Sequence, residues 1–190
     1  MKRRLALPAV AVLCFISLLR AENRPLPARQ AEQDVKVLFS PKGGCTEAIV
    51  EQINSAKTSV DVQAYSFTSV AIAKAITDAH SRGVKVRAIL DKSQRTERYT
   101  SATFLLNHDV PVFIDDKHAI AHNKIMIIDG ETILTGSFNF TKAAEESNAE
   151  NLLIIRNHAD LVSAYQKNFQ EHLSHSSAYS GLDKTSASAR

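Results

Sequence analysis

The segment of this sequence with the most potential for chemistry opens with a histidine and a lysine two residues apart, His122 and Lys124. Alternate residues of a β-strand face the same side, so we expect the two side chains to project together. Ser137 and Asn139 repeat the same spacing further along the chain. An imidazole, an ammonium, a hydroxyl and an amide on one surface can attack phosphorus and hold phosphate oxygens. The residue types therefore indicate phosphoryl transfer, with lysine and asparagine supplying the electrostatic role of a metal ion.

The two pairs must be brought together, and the residues between them predict a hairpin. Residues 124–128 and 132–135 are apolar strand patterns on either side of Asp129-Gly130. This dipeptide is favoured in tight two-residue hairpin turns. We expect the return strand to carry the serine and the asparagine back beside the histidine and the lysine. Asp129, inside the turn, should point away from them and be structural.

A carboxylate that could serve the histidine follows at Glu150, just before the apolar residues 152–155. A carboxylate that accepts a hydrogen bond from an imidazole fixes its tautomer and its orientation. We therefore expect Glu150 to orient His122. The alternative, an ordinary surface glutamate, stays open.

These residues resemble a known family. The spacing H-x-K-x4-D-x6-G-S-x-N is similar to the HKD signature of the phospholipase D superfamily at every fixed position. The positions are His122, Lys124, Asp129, Gly136, Ser137 and Asn139. Residues 148–152 resemble the small bacterial endonucleases of the Nuc type. The resemblance implies a metal-independent phosphodiesterase without a cofactor, in which Gly136 is structural.

The resemblance also implies a mechanism with two histidines. One attacks phosphorus to form a phosphohistidine, and the other protonates the leaving oxygen. Lys124, Ser137 and Asn139 would hold the phosphate, and Gln63 and Tyr65 of an early strand are candidate substrate contacts. No second signature exists, because the other histidines lack a lysine two residues on: His80, His108, His118, His158, His172 and His175. The sequence therefore predicts a homodimer in which each subunit contributes one histidine.

Three functions are compatible with the residues. An endonuclease that cleaves DNA or RNA with little sequence preference is favoured, as the Nuc-type resemblance implies. A phospholipase D that hydrolyses phosphatidyl lipids such as phosphatidylcholine to phosphatidic acid is the alternative, since the same groups support both reactions. A binding module that has lost its chemistry is the third, but the signature shows no damaged position.

Short apolar runs alternate with helical patterns around this segment. Strand patterns at residues 35–39, 60–67, 84–90 and 112–114 are separated by helical periodicity at 49–53, 70–81 and 95–108, and a last helix is expected at 159–173. We expect an α/β fold, with a mixed and mostly parallel sheet covered by helices on both faces. One catalytic domain should span residues 35–174, between a linker at 22–34 and a disordered tail at 175–190.

The first 21 residues have the pattern of an export signal. A basic start, Met1 to Arg4, precedes an apolar stretch from Leu5 to Leu19 that is short for a membrane span. The expected location is periplasmic or secreted, with an uncleaved membrane anchor as the alternative. Removal of this segment would lower the formal charge from +3 to −1, because it carries four basic residues and no acidic ones. Global charge therefore gives no support for nucleic-acid binding.

Overall fold

An eight-stranded sheet organises the computed structural model, which describes residues 34–97 and 99–181. The strands are β1 (Asp34–Ser40), β2 (Ser59–Ala64), β3 (Lys85–Asp91), β4 (Val112–Asp115), β5 (Lys124–Ile128), β6 (Thr132–Gly136), β7 (Glu150–Arg156) and β8 (Ser177–Ala178). The α-helices are α1 (Cys45–Ser55), α2 (Val70–Ser81), α3 (Ser101–Leu106), α4 (Lys142–Glu146) and α5 (Ala159–His175), and a 3-10 helix covers Lys92–Arg95.

The strands lie in the order β1-β7-β6-β5-β2-β3-β4-β8. The neighbours β2, β3 and β4 are parallel, while the other described neighbours pair antiparallel. The expected mixed α/β sheet is confirmed, but the expected predominance of parallel strands is wrong. The β5–β6 hairpin reverses the chain. Strand β7 then pairs with β6, and β1 pairs with β7, which extends the sheet on that side. Hydrophobic periodicity predicts strands but not their direction.

Helices cover both faces of the sheet, as expected. On one face α1, α2 and α3 pack over alternate residues of the central strands, including Val62, Leu90 and Met126. On the other face α5 inserts Phe169 against the intervening strand residues Ile89, Ile125 and Ile127. Alternate apolar residues of each strand thus pack into two separate cores, one on each face of the sheet.

Of two predicted helices, one has the predicted bounds and the other does not. The helix α2 has the predicted bounds, because Ser69 caps its start by accepting a hydrogen bond from the Ile72 N–H, and Gly83 follows its end with a φ of 90°. The helix expected over residues 95–108 is instead shortened to α3, and the 3-10 helix ends at Arg95, where the expected helix begins. The 3-10 helix and α3 each begin at a capping side chain, Asp91 and Thr100 respectively.

The folded chain continues past the predicted domain end. Helix α5 extends to His175, and Ser177–Ala178 pair with β4. Tyr179 is buried, and its hydroxyl hydrogen-bonds with Thr103. The prediction of a disordered tail is therefore wrong for residues 175–181, because a buried aromatic and a strand hold them. Residues 182–190 lie outside the described part, as do the signal and linker segments up to residue 33.

Within the described residues, no helix is both long and apolar enough to cross a membrane.

Candidate active site

The histidine and the lysine of the motif meet where the central strand β5 begins, around an aromatic ring. The exposed His122 lies just before β5, and Lys124 is the first residue of that strand. The His122 and Tyr65 rings are 4.6 Å apart between centroids, and Lys124 Nζ lies 5.1 Å from the centre of the same Tyr65 ring. Lys124 Nζ also donates to the His122 carbonyl at 2.8 Å. The structure therefore brings together His122, Lys124 and the predicted substrate contact Tyr65.

Buried polar contacts fix the backbone on both sides of His122. Asp91, at the end of β3, accepts a hydrogen bond from the Ala121 N–H at 2.7 Å and is 2% exposed. The Asn123 carbonyl accepts from the Tyr65 N–H at 2.9 Å. A residue held on both sides by the ends of two strands is pre-organised for chemistry, since little freedom remains to be lost.

Lys124 is an unusual lysine, since its residue is 7% exposed. Burial lowers the pKa of its ammonium from the usual range, and the Glu150 carboxylate opposes this by raising it. Glu150 accepts a hydrogen bond from the Asn148 amide at 3.2 Å. Among the described residues, Glu150 makes no hydrogen bond to the His122 ring. The prediction that Glu150 orients His122 is therefore not supported within one chain, and its electrostatic partner is Lys124.

The hairpin that joins the two halves of the motif turns at the predicted Asp129-Gly130, in a loop one residue longer than the two predicted. Asp129 and Gly130 both have positive φ values, 55° and 67°, and the Glu131 N–H donates to the Ile128 carbonyl at 3.0 Å. Positive φ at both central residues is the type I′ conformation, in which Asp-Gly is favoured. Glu131 adds a third residue before β6 begins.

The Asp129 carboxylate points away from the site, as expected. It accepts hydrogen bonds from the backbone N–H groups of Lys57, Thr58 and Ser59 and from the Thr58 hydroxyl, at 2.7 to 3.1 Å. Burial raises the pKa of this carboxyl, but these hydrogen bonds lower it more, so the net shift is downward. The aspartate ties the hairpin to the loop that precedes β2.

The return strand ends opposite Lys124. Met126 pairs with Leu134, and the same register continued by two places sets Lys124 against Gly136. Gly136 has a φ of 142°, and a Cβ at this position would lie 2.3 Å from the Asn151 carbonyl oxygen. A glycine is required here, directly before Ser137.

The neighbouring strand β7 holds Ser137. The Ser137 hydroxyl oxygen accepts from the Asn151 N–H at 3.1 Å, and the Ser137 N–H donates to the Asn151 carbonyl at 3.2 Å. Sequence reasoning missed Asn151, because its role depends on a pairing distant in the chain. The Asn139 carboxamide oxygen is buried and makes no hydrogen bond within the described residues. An amide with an unused acceptor has capacity for a bound hydrogen-bond donor.

The position of Gln63 does not fit the substrate contact that the resemblance implies. Gln63 pairs with Ile125, on the sheet face that α5 covers, whereas Lys124 alternates to the other face. Gln63 is also 2% exposed. The prediction that it contacts substrate is therefore not supported, because its side chain is buried between the sheet and its packing helix.

The basic residues between 82 and 95 do not form one surface. Arg82 donates to the Ile53 and Asn54 carbonyls, and Arg87 pairs with Asp61 under α5. Lys92 donates to the His118 carbonyl, and Arg95 pairs with Asp116. Arg98 lies outside the described residues.

The sequence reasoning missed a second group of ionisable side chains, at the end of β4. Asp115, His118, His172 and His175 converge there. The sequence signal that could have found them is the repeated spacing of three residues, from Asp115 to His118 and from His172 to His175.

Comparison with known proteins gives consistent matches. The family model described as "Cardiolipin synthase, PLD-like domain" matches residues 49–173. A phospholipase D of Rickettsia conorii is 42% identical over 135 residues, which are 71% of this chain and 67% of that protein.

Two solved structures extend the similarity over almost their whole length. Nuc of Salmonella typhimurium, a phospholipase D family member, is 37% identical with a TM-score of 0.75, over 78% of this chain and 99% of that one. NucT of Helicobacter pylori is 26% identical with a TM-score of 0.72, over 78% of this chain and all of that one.

Proposed function

The chain belongs to the PLD-like domain family of phosphodiesterases, and from this premise we propose that it is a metal-independent endonuclease acting on DNA or RNA. The observation that carries the choice is the open position of His122. Its exposed ring stands before the start of the central strand β5 beside Lys124, where a polymer backbone can approach along the surface. The similarity to Nuc over 99% of that chain supports the same choice.

The proposed reaction proceeds through a phosphohistidine. A ring nitrogen of His122 attacks phosphorus, so that an N–P bond forms while the P–O bond to the leaving strand breaks. A second histidine donates a proton to the leaving oxygen. Water then attacks phosphorus, gives a proton to the same second histidine, and releases His122. Atoms and charge balance without a metal ion.

The remaining site residues would stabilise the charge of the phosphate. Lys124 supplies a positive charge, and Asn139 and Ser137 supply hydrogen bonds to its oxygens. Tyr65, which contacts both the ring of His122 and the ammonium of Lys124, would hold the two in position against the substrate. Glu150 would keep Lys124 protonated, since it raises the pKa of that ammonium.

The second histidine would come from another copy of the chain. The exposed side chains Val35, Val37 and Phe39, at 54%, 49% and 64%, lie on one face of β1. The half-buried residues Leu153 and Ile155 of β7 pair with Val37 and Val35 on that face. We call these five residues the β1–β7 apolar face.

The position of this face supports a homodimer. It ends at the pair Phe39 and Asn151, and Asn151 holds Ser137 of the site. A two-fold contact between two such faces would bury apolar surface and set two motifs side by side.

A phospholipase D reaction is the second candidate. Val70 and Phe104, exposed by 80% and 39%, line a cleft together with Thr68 on the chain segment that follows Tyr65. An apolar cleft could receive an acyl chain, and the Rickettsia conorii relative is named phospholipase D. A catalytically silent binding module is disfavoured, because the signature is intact.

The proposed domain organisation places a cleaved export signal at residues 1–21, or an uncleaved anchor, and a linker before the catalytic domain. The support is the basic and then apolar pattern of residues 1–21. The proposed location is periplasmic or secreted.

A substrate panel tests the proposal. Purified protein is incubated in excess EDTA with duplex DNA, single-stranded DNA, RNA and phosphatidylcholine vesicles, with His122→Ala as the control. We expect nucleic acid to be cleaved and the cleavage to be lost in the variant. Choline release with intact nucleic acid would overturn the endonuclease proposal in favour of the phospholipase.

A further inference from the structure

Three histidines surround one aspartate oxygen where β4 ends. Asp115 is fully buried, and its Oδ2 lies 2.9 Å from His118 Nδ1, 2.7 Å from His172 Nδ1 and 3.3 Å from His175 Nε2. We call these four residues the histidine cluster. Its four ligand atoms all lie within 4.8 Å of one another.

Hydrogen bonding alone does not account for this packing. A carboxylate oxygen offers about two lone pairs, and His118 and His172 already use them. The third nitrogen, His175 Nε2, is buried and lacks a hydrogen-bond partner within the described residues, although it is 3.3 Å from Asp115 Oδ2. A buried polar atom without a partner carries a cost that a bound ion would remove.

We propose that the histidine cluster binds a single divalent cation of the zinc class through three imidazole nitrogens and the Asp115 carboxylate. Imidazole nitrogens and a carboxylate oxygen are ligands that zinc accepts in tetrahedral geometry. Bonds of about 2.1 Å in such a site imply ligand separations of about 3.3 Å. The N–O separation to His175 has this value, 3.3 Å, while those to His172 and His118, 2.7 and 2.9 Å, would lengthen by a few tenths of an ångström around an ion.

The surroundings of the cluster favour a cation. The other oxygen of Asp115 accepts from the Lys117 and His118 N–H groups, which fixes the carboxylate with Oδ2 toward the imidazoles. His172 and His175 also lie in the last turn of α5, where the helix dipole attracts positive charge.

The bound ion would support the site without joining the reaction. It would tie the end of α5 to His118, in the loop that leads from β4 to His122. Asp115 pairs in register with Asp91, which holds Ala121 of the same loop. The cluster lies outside the signature motif, so the prediction of a metal-free reaction is unaffected. The His118 side chain is 47% exposed, which gives an ion a route of entry.

Metal binding by the full chain tests the proposal directly. Protein stripped with EDTA is dialysed against Zn²⁺ and its zinc content is measured. We expect about one zinc per chain, and at least a tenfold loss of affinity in His172→Ala and in His175→Ala. His108→Ala is the matched control, because His108 is an exposed histidine outside the cluster, and it should bind zinc as the wild type does.

A second measurement needs no variant. Co²⁺ added to the stripped wild-type protein should give the intense visible absorption of a four-coordinate ion, and Zn²⁺ should displace it. A weak octahedral spectrum, or a wild-type protein that binds no zinc, would overturn the proposal. Unchanged zinc affinity in both cluster variants would overturn it as well.

Discussion

At the level of single residues, two opposing surroundings act on the charge of Lys124. Its burial favours the neutral amine, and Glu150 favours the ammonium that a phosphate requires. The balance between the two sets the upper pH limit at which the proposed site can hold an anion.

Glu150→Gln should move the alkaline limb of the pH–activity profile to lower pH. Activity is lost as pH rises through the pKa of Lys124, and removal of the opposing carboxylate lowers that pKa further. The profile of turnover against pH measures this. Glu146→Gln is the control, since Glu146 pairs with the exposed Lys142 on α4. An unshifted profile in Glu150→Gln would show that Glu150 does not influence the pKa of Lys124.

The chemistry-bearing pair was predictable because it depends on local geometry. His122 and Lys124 are two residues apart at the start of a strand, so their common side follows from the strand period. The contacts of Glu150 and Asn151 were not predictable in the same way. Each depends on how β7 pairs with β1 and β6, and sequence spacing does not contain that information.

At the level of elements, the hairpin between β5 and β6 is held by Asp129 rather than by its turn alone. Its carboxylate receives backbone hydrogen bonds from Lys57, Thr58 and Ser59. Such bonds to an ionised group are worth more than bonds to a neutral one. The hairpin thereby keeps a fixed position relative to β2. Tyr65 directly follows that strand, so its position relative to the hairpin is fixed as well.

Asp129→Asn should lower the free energy of unfolding by about 2 kcal/mol at neutral pH. The folded pKa of Asp129 is lowered, so its contribution is present above the unfolded pKa of about 4 and is lost as pH falls through the folded value. Urea unfolding at pH values of about 7 and about 3 should show the difference between variant and wild type shrink in acid.

Asp109→Asn is a matched control for this measurement. Asp109 also has a positive φ, 60° against 55° for Asp129, and it is exposed. Asparagine tolerates this conformation, so the control should stay close to wild type at both pH values. An equal and pH-independent loss in both variants would show that backbone conformation, and not the carboxylate, is responsible.

The elements themselves were largely predictable, but their arrangement was not. Apolar alternation found most strands, and Ser69 and Gly83 marked the ends of α2. The predicted helix over residues 95–108 begins only at Ser101, because the Thr100 side chain caps the start of α3. The antiparallel pairing of β1 with β7 joins two strands that are far apart in the sequence, so no local pattern predicts it.

At the level of the whole molecule, the proposed two-histidine mechanism needs a second copy of the chain, because the sequence contains one signature motif. The β1–β7 apolar face is the described surface best suited to a second copy. Its residues are too apolar and too contiguous to be explained as scattered surface positions.

Val37→Glu should convert a dimer to a monomer and reduce turnover by about 100-fold or more, since the general acid would be lost. Sedimentation and turnover measure the two effects on the same sample. Leu161→Glu is the control, because Leu161 is comparably exposed at 41% but lies on α5 outside the apolar face. A Val37→Glu monomer with full turnover would refute the shared site.

The central claim is that His122 performs the reaction without a catalytic metal. The most direct measurement is phosphodiester hydrolysis in excess EDTA by the wild-type protein and by His122→Ala, with circular dichroism to confirm that both remain folded. We predict sustained turnover by the wild type and none by the variant. Measurable turnover by folded His122→Ala, or a folded wild-type protein that stops when metal is removed, would contradict the account.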